Sequence, residues 1–311
     1  MAESTRCSTL ARSEALDPGG TAGCHAGFCL IEVPLPWPAD VATIRGLRAI
    51  ATETRRRGIR FVAVVPVGGA ERRRVILYRR RPSVLFSRYE RAEASCEPRH
   101  LESTVLALLR AEIQETSPLS GRDVLLCTHG RRDICCGARG VALARALESS
   151  GRVCPDVRLW RASHLGGHRF APTATILPEG TSWAFLDASI VDRLLTRAES
   201  VEDVLAHYRG CHGLESPSVQ VVERAALADA GWGLLARRRG GTDLEGGSVR
   251  LDVLGDAGGR DRWEGRVVPG RRVALPVCGQ AVAPSESACE LSLVDLRRNG
   301  IPYRSLRSGE R

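Results

Sequence analysis

The sequence predicts an α/β fold with an additional small α+β or mostly β region at the C-terminal end. Three observations carry this. An apolar run at Phe28 to Val33 is followed by the breaker Pro34-Leu35-Pro36-Trp37-Pro38 and then by helical periodicity. A second strand–loop–helix–strand pattern spans Asp123 to Trp160. From about residue 215 the pattern changes to short strands divided by Gly-rich turns. The 311 residues suggest about two domains as a prior, and 43% hydrophobic residues suffice for a large core.

Taken in order, residues 1–27 are rich in Gly, Ser, Thr and Ala without periodicity, and are expected to wrap the surface irregularly or stay partly disordered. The strand at Phe28 to Val33 leads into a helix whose apolar positions are Ala42, Ile44, Leu47, Ile50 and Ala51. Gly58 closes that helix, and strands follow at Phe61 to Val67 and Arg74 to Tyr78. Residues 103–115 read as an amphipathic helix.

Next come a buried strand at Asp123 to Cys127, a helix at Val141 to Glu148 and a strand at Val157 to Trp160. In such βαβ arrangements chemistry sits beyond the carboxyl ends of the strands. A strand at Ala174 to Leu177 and a helix over Ile190 to Tyr208 complete the region 28–210. Residues 215–311 should hold a helix near Val221 to Leu235 and strands at Ser248 to Leu254, Trp263 to Val268, Arg272 to Val277 and Leu291 to Asp295. No internal repeat is visible in the sequence.

Composition narrows the function classes. No apolar run approaches the roughly 18 residues of a membrane span, and residues 1–27 lack the apolar core of a secretory signal. A cytoplasmic protein without a membrane partner is therefore expected. In that reducing setting a local grouping among the 11 cysteines favours metal or redox chemistry over disulfides. The net charge of +9 rests entirely on arginine, with no lysine in the chain. The Arg runs at 55–57, 72–74, 79–81 and 237–239 are scattered, so solvated faces account for the charge and nucleic acid is not expected as a partner.

The chemistry-bearing residues gather after two successive strands. Eight residues separate Cys127 from Cys136, and three separate His164 from His168, among them Gly166-Gly167, where glycine lets the backbone bend freely. Two thiolates and two imidazoles fit either a tetrahedral Zn²⁺ or a [2Fe–2S] cluster with the cysteines on one iron and the histidines on the other. Zinc fingers space their cysteines by roughly two to four residues, so the longer loop suits the larger cluster better. A third reading is a thiol-based redox protein, but the C-x-x-C spacing is missing.

The residues Cys127-Thr128-His129-Gly130-Arg131-Arg132-Asp133-Ile134-Cys135-Cys136-Gly137 and Trp160-Arg161-Ala162-Ser163-His164-Leu165-Gly166-Gly167-His168-Arg169-Phe170-Ala171-Pro172-Thr173 resemble the sucrase/ferredoxin-like family. The resemblance runs more loosely from Cys7 to Asp187. It implies a thioredoxin-like fold and a [2Fe–2S] cluster held by Cys127, Cys136, His164 and His168. The "sucrase" of the family's name gives no support for sugar hydrolysis, and an electron carrier is expected rather than a catalyst.

Cys135 competes with Cys136 as a ligand, Cys136 being preferred beside Gly137 at the helix start. His129 reads as a loop residue bonding the turn. Asp133 either orients a ligand imidazole or caps the following helix. Arg131, Arg132, Arg161 and Arg169 crowd the site in sequence and either offset cluster charge and raise its potential or pair with Asp133 and Asp187; that potential should fall as pH rises if reduction draws a proton to an imidazole. With no flavin or nicotinamide fingerprint, a separate reductase or other redox partner is expected.

Overall fold

The structure is a computed structural model that describes residues 6–67, 71–83, 85–111, 121–151, 154–255, 258–274, 277–278 and 287–302. Helix α1 (Cys7–Ser13) comes first, followed by β1 (Gly27–Glu32), α2 (Arg48–Arg56), β2 (Ile59–Val64), β3 (Arg73–Arg79), β4 (Glu90–Cys96) and α3 (Leu101–Arg110). The chain continues through β5 (Arg122–Cys127), α4 (Val141–Ser150), β6 (Val157–Ala162), β7 (Ala174–Leu177), β8 (Thr181–Trp183), α5 (Ala188–Thr196) and β9 (Tyr208–Cys211). Helix α6 (Pro217–Ala230) precedes β10 (Arg239–Asp243), β11 (Ser248–Leu254), β12 (Arg260–Ala274), β13 (Ser287–Arg298) and β14 (Ile301–Pro302).

Strands β1 to β9 form one mixed sheet in the order β4-β3-β1-β2-β6-β5-β7-β8-β9. Its two halves repeat one topology. In the first, β1 and β2 are parallel across α2, β3 runs antiparallel to β1 and β4 to β3, and α3 follows. In the second, β5 and β6 are parallel across α4, β7 runs antiparallel to β5 and β8 to β7, and α5 follows. The halves meet where β2 and β6 pair antiparallel at Val64 and Ala162. The repeat lies in topology alone, which is why the sequence does not display it.

The sheet is buried on both faces in its centre. Along β1, Phe28 and Leu30 join one core while Cys29 and Ile31 join another beneath α2 and α3, as the two-residue period of a strand requires. Asp123 ties the halves together. Its fully buried carboxylate accepts from Arg158 Nε at 2.6 Å and Nη2 at 2.8 Å, from Trp160 Nε1 at 2.6 Å, and from the Tyr78 hydroxyl.

Strands β10 to β14 form a second, antiparallel sheet against α6. On β11 the buried residues Val249, Leu251 and Val253 alternate with half-buried neighbours. A buried pair, Arg239 Nε to Glu223 Oε1 at 2.7 Å, fixes β10 to α6, and the Tyr208 hydroxyl donates to the other oxygen of Glu223 at 2.8 Å.

Several expectations change. Residues 1–27 are not irregular throughout: Cys7–Ser13 is helical, and Cys7, Ser8 and Ala11 are buried. The helix expected over 190–208 stops at Thr196, because Arg197 turns left-handed (φ 51°) and Ser200 starts a separate 3-10 turn. The helix expected to reach Leu235 ends at Ala230, before Gly231 (φ 69°). The strands expected at 263–268 and 272–277 are one strand to Ala274 with register shifts at Glu264/Arg266 and Pro269/Arg272, and residues 275–276 lie outside the described residues. The helix expected over 103–115 covers Leu101–Arg110, and 112–115 lie outside the described residues. Among the described residues no helix is long and apolar enough to cross a membrane.

Candidate metal centre

Cys127 is the last residue of β5 and is fully buried. Its backbone N–H donates to Thr173 O at 3.0 Å, and the next N–H, of Thr128, donates to Ala162 O at 2.9 Å, which fixes the strand end between β6 and β7. The chain then loops back to a helix that begins at Ile134 and contains a π-helical stretch at Cys136–Gly140 before α4. Such π turns are often found at functional sites. Two close approaches demand glycine: a Cβ on Gly140 would strike the Cys127 carbonyl oxygen, and one on Gly137 would strike the Gly130 Cα. These contacts press the helix start onto the strand end, so the thiols of Cys127 and Cys136 share a hydrogen bond.

That bond, with further hydrogen bonds from His164 and the backbone N–H groups of Leu165 and His129, holds Cys127 well below the ordinary thiol value despite its burial. The same bond, with burial, raises Cys136.

The histidine loop follows β6. Gly166 (φ 85°) and Gly167 (φ 69°) are both left-handed, as a bend between the imidazoles requires, and His168–Phe170 form a 3-10 turn. The two rings lie 6.5 Å apart between centroids, inclined by 37°. His164 Nδ1 is buried and has no hydrogen-bond partner. His168 Nδ1 lies 3.0 Å from Asp133 Oδ2.

Asp133 both caps the helix and contacts the His168 imidazole. Its Oδ1 accepts from the backbone N–H groups of Cys135 at 2.8 Å and Cys136 at 3.2 Å, capping the helix, while Oδ2 faces His168. Burial opposes its charge, but His168 and these N–H groups outweigh burial and hold the carboxyl below its ordinary value.

The arginines sort unevenly. Arg131 and Arg132 are exposed, and Arg161 is half-buried with an unpartnered Nε. Arg169 stacks on Phe170 at 4.8 Å. Two arginines absent from the sequence reading lie closer in. Arg60 Nη2 donates to His164 O at 2.8 Å. Arg209 donates to Gly166 O at 3.2 Å, Ser182 Oγ at 3.2 Å, Thr21 Oγ1 at 3.0 Å and Thr21 O at 2.6 Å, all neutral acceptors. Burial first, then Arg169 and Arg60, push Arg209 down to about 9, while Cys127 and Cys136 act to raise it. It stays cationic at neutral pH.

Among the described residues, the group whose ligand atoms all lie within 4.8 Å of one another is Cys7, Asp133, Cys135 and Cys278. Cys127, Cys136, His164 and His168 do not form such a group. Neither Cys7 nor Cys278 is a candidate ligand on sequence grounds, because one sequence offers no signal joining positions so distant. His129 bonds Pro38 O at 2.9 Å through Nε2 and packs edge-on to Trp37 at 5.6 Å, a loop-fixing role. A cleft of about 450 Å³ opens beside His164, lined also by Arg55, Arg60, His129 and Arg132.

A family model described as sucrase/ferredoxin-like matches residues 19–210, more than half of the chain. The chain belongs to the sucrase/ferredoxin-like family. The match covers the nine-stranded sheet from β1 into β9 and both candidate ligand loops of this sucrase/ferredoxin-like protein. It leaves out α1, with Cys7, and the second sheet region, with Cys278. No curated protein and no solved structure matches the chain.

Proposed function

We propose that the protein is an electron carrier that holds one [2Fe–2S] cluster through Cys127, Cys136, His164 and His168. The observation that carries this reading is the buried Cys127–Cys136 pair beside His164, whose Nδ1 has no partner. The donor set fits the group. Cys127 and Cys136 would hold one iron and His164 and His168 the other, so the four donors need not converge within the reach of a single ion. Asp133, by engaging His168 Nδ1, leaves Nε2 as the free ring nitrogen, the carboxylate–histidine support common at metal sites.

When bound, such a cluster supplies reversible one-electron transfer. The chain's own residues set the conditions. Cys127 and Cys136 exclude water through burial, Asp133 fixes the orientation of one imidazole, and Arg60 and Arg209 place positive charge where an electron would add negative charge. The finer fold reading, thioredoxin-like, is supported by β5–α4–β6 flanked by antiparallel β7 and β8 and followed by α5, with Cys136 at the start of the helix. Electron exchange requires a separate redox partner, and a cytoplasmic setting suits the free buried thiols.

The test is iron and acid-labile sulfide content with electron paramagnetic resonance of the reduced protein, purified without oxygen. Cys127→Ser and Cys136→Ser should lose iron and the signal. Retention of both in either variant would contradict the assignment.

A further inference from the structure

We infer that Cys7, Cys135 and Cys278, with Asp133, form a second metal site, a zinc-binding staple distinct from the cluster position. The three sulfurs stand at the corners of a triangle: Cys7 to Cys135 3.7 Å, Cys135 to Cys278 3.2 Å and Cys278 to Cys7 3.3 Å. Asp133 Oδ2 lies 3.7 Å from Cys7 Sγ. These distances exceed a disulfide bond of about 2.05 Å. They come near the edge of a tetrahedron with metal–sulfur bonds of about 2.3 Å, which is roughly 3.8 Å.

The surroundings suit an ion. Cys7 and Cys135 are fully buried and Cys278 is half-buried, which leaves one side for entry. The ligands come from three separated segments: helix α1, the start of the helix after β5, and the connection between β12 and β13. Three thiolates select a soft or borderline cation, and a hard carboxylate oxygen as fourth donor favours Zn²⁺ over Cu⁺. Binding exchanges the thiol protons for the metal, with no change of oxidation state. The consequence is mechanical: an occupied site clamps both α1 and the second-sheet region, neither of them in the family match, onto the helix that carries Cys136. Because Asp133 Oδ2 also faces His168 at 3.0 Å, the staple adjoins the cluster position without sharing its cysteines.

The inference stands apart from the cluster reading and is tested by elemental analysis of the full chain, loaded with Zn²⁺ under reductant, as wild type, as Cys7→Ser with Cys278→Ser, and as Cys127→Ser with His164→Ala. One zinc per chain should be bound by wild type, lost in the first pair with iron content unchanged, and kept in the second pair. Wild type with this zinc but no iron would refute the cluster reading and keep the staple. Absence of zinc from wild type, or its loss only in the second pair, would overturn the staple. Zinc-edge X-ray absorption of wild type needs no variant: three sulfurs at about 2.3 Å with one oxygen are expected, and a shell of two sulfurs and two nitrogens would refute the site.

Discussion

His168 Nδ1 lies 3.0 Å from Asp133 Oδ2, while the other oxygen of the same carboxylate caps the helix that carries Cys136. One side chain therefore contacts a proposed ligand, or its helix, in each of the two loops. Substitutions at Asp133 separate these roles. Asn still caps a helix but carries no charge, so Asp133→Asn, compared with wild type in zinc-free protein, should leave the melting temperature near that of wild type and weaken iron retention by about 10–100-fold, measured by chelator competition. Asp133→Ala should lose the same iron affinity and roughly a further 1 kcal/mol of stability.

Arg209 is a buried cation whose acceptors are all neutral. Its charge favours a site that gains an electron. Arg209→Met should lower the midpoint potential by tens of millivolts, where about 59 mV is a tenfold change for one electron. Arg209→Lys should recover part of the loss in a spectroelectrochemical titration. Equal potentials in wild type and Arg209→Met would refute this tuning.

Gly140 is in contact range of the Cys127 carbonyl oxygen, with no room for a Cβ. Gly140→Ala should force the helix start away from β5, cost about 1–3 kcal/mol and reduce iron content. Gly151, whose Cβ would meet nothing within 4 Å, has a left-handed φ of 62°. Gly151→Ala should therefore cost stability through its backbone conformation while leaving the iron content intact. Iron per chain and thermal melting distinguish the two.

Asp123 predicts the acid limb of stability. Burial raises its carboxyl, but hydrogen bonds from Arg158, Tyr78 and Trp160 outweigh burial and hold it below its ordinary value of 3.8. A depressed value in the folded state means that the carboxylate stabilises fully above that ordinary value and that the contribution is lost as pH falls through the folded one. The urea midpoint should thus decline below about pH 4. Asp123→Ala should flatten that decline. It should also cost on the order of 3 kcal/mol at neutral pH, because buried donors on Tyr78 and Trp160 lose their acceptor at about 1–3 kcal/mol each.

The strand end and the turn that shape the two candidate loops were legible in the sequence: Cys127 closes β5, and Gly166 and Gly167 turn left-handed. The sequence also made β1, β2, β5 and β7 legible through the apolar stretches Phe28 to Ile31, Phe61 to Val64, Val124 to Cys127 and Ala174 to Leu177, and β6 through Val157, Leu159 and Trp160. Strand β4, Glu-Arg-Ala-Glu-Ala-Ser-Cys, is hard to read from sequence because it is a sheet edge whose inward positions are the small residues Ala92, Ala94 and Cys96, between exposed Glu93 and Ser95. Helix α1 was hidden by its composition: its buried Cys7, Ser8 and Ala11 are small residues that pack against the His168 turn rather than form a large apolar face. Arg209 and Cys278 escaped for a different reason. Nothing local distinguishes an arginine or a cysteine that tertiary folding brings to a site.

The central claim is tested most directly by the visible spectrum and iron content of the anaerobically purified protein, compared with His164→Cys combined with His168→Cys. The account predicts a red-brown wild type with about two irons per chain, and a double variant that keeps its iron but has a shifted spectrum, as thiolates replace the imidazoles. A colourless wild type without iron, or a spectrum unchanged by replacing both histidines, would contradict it.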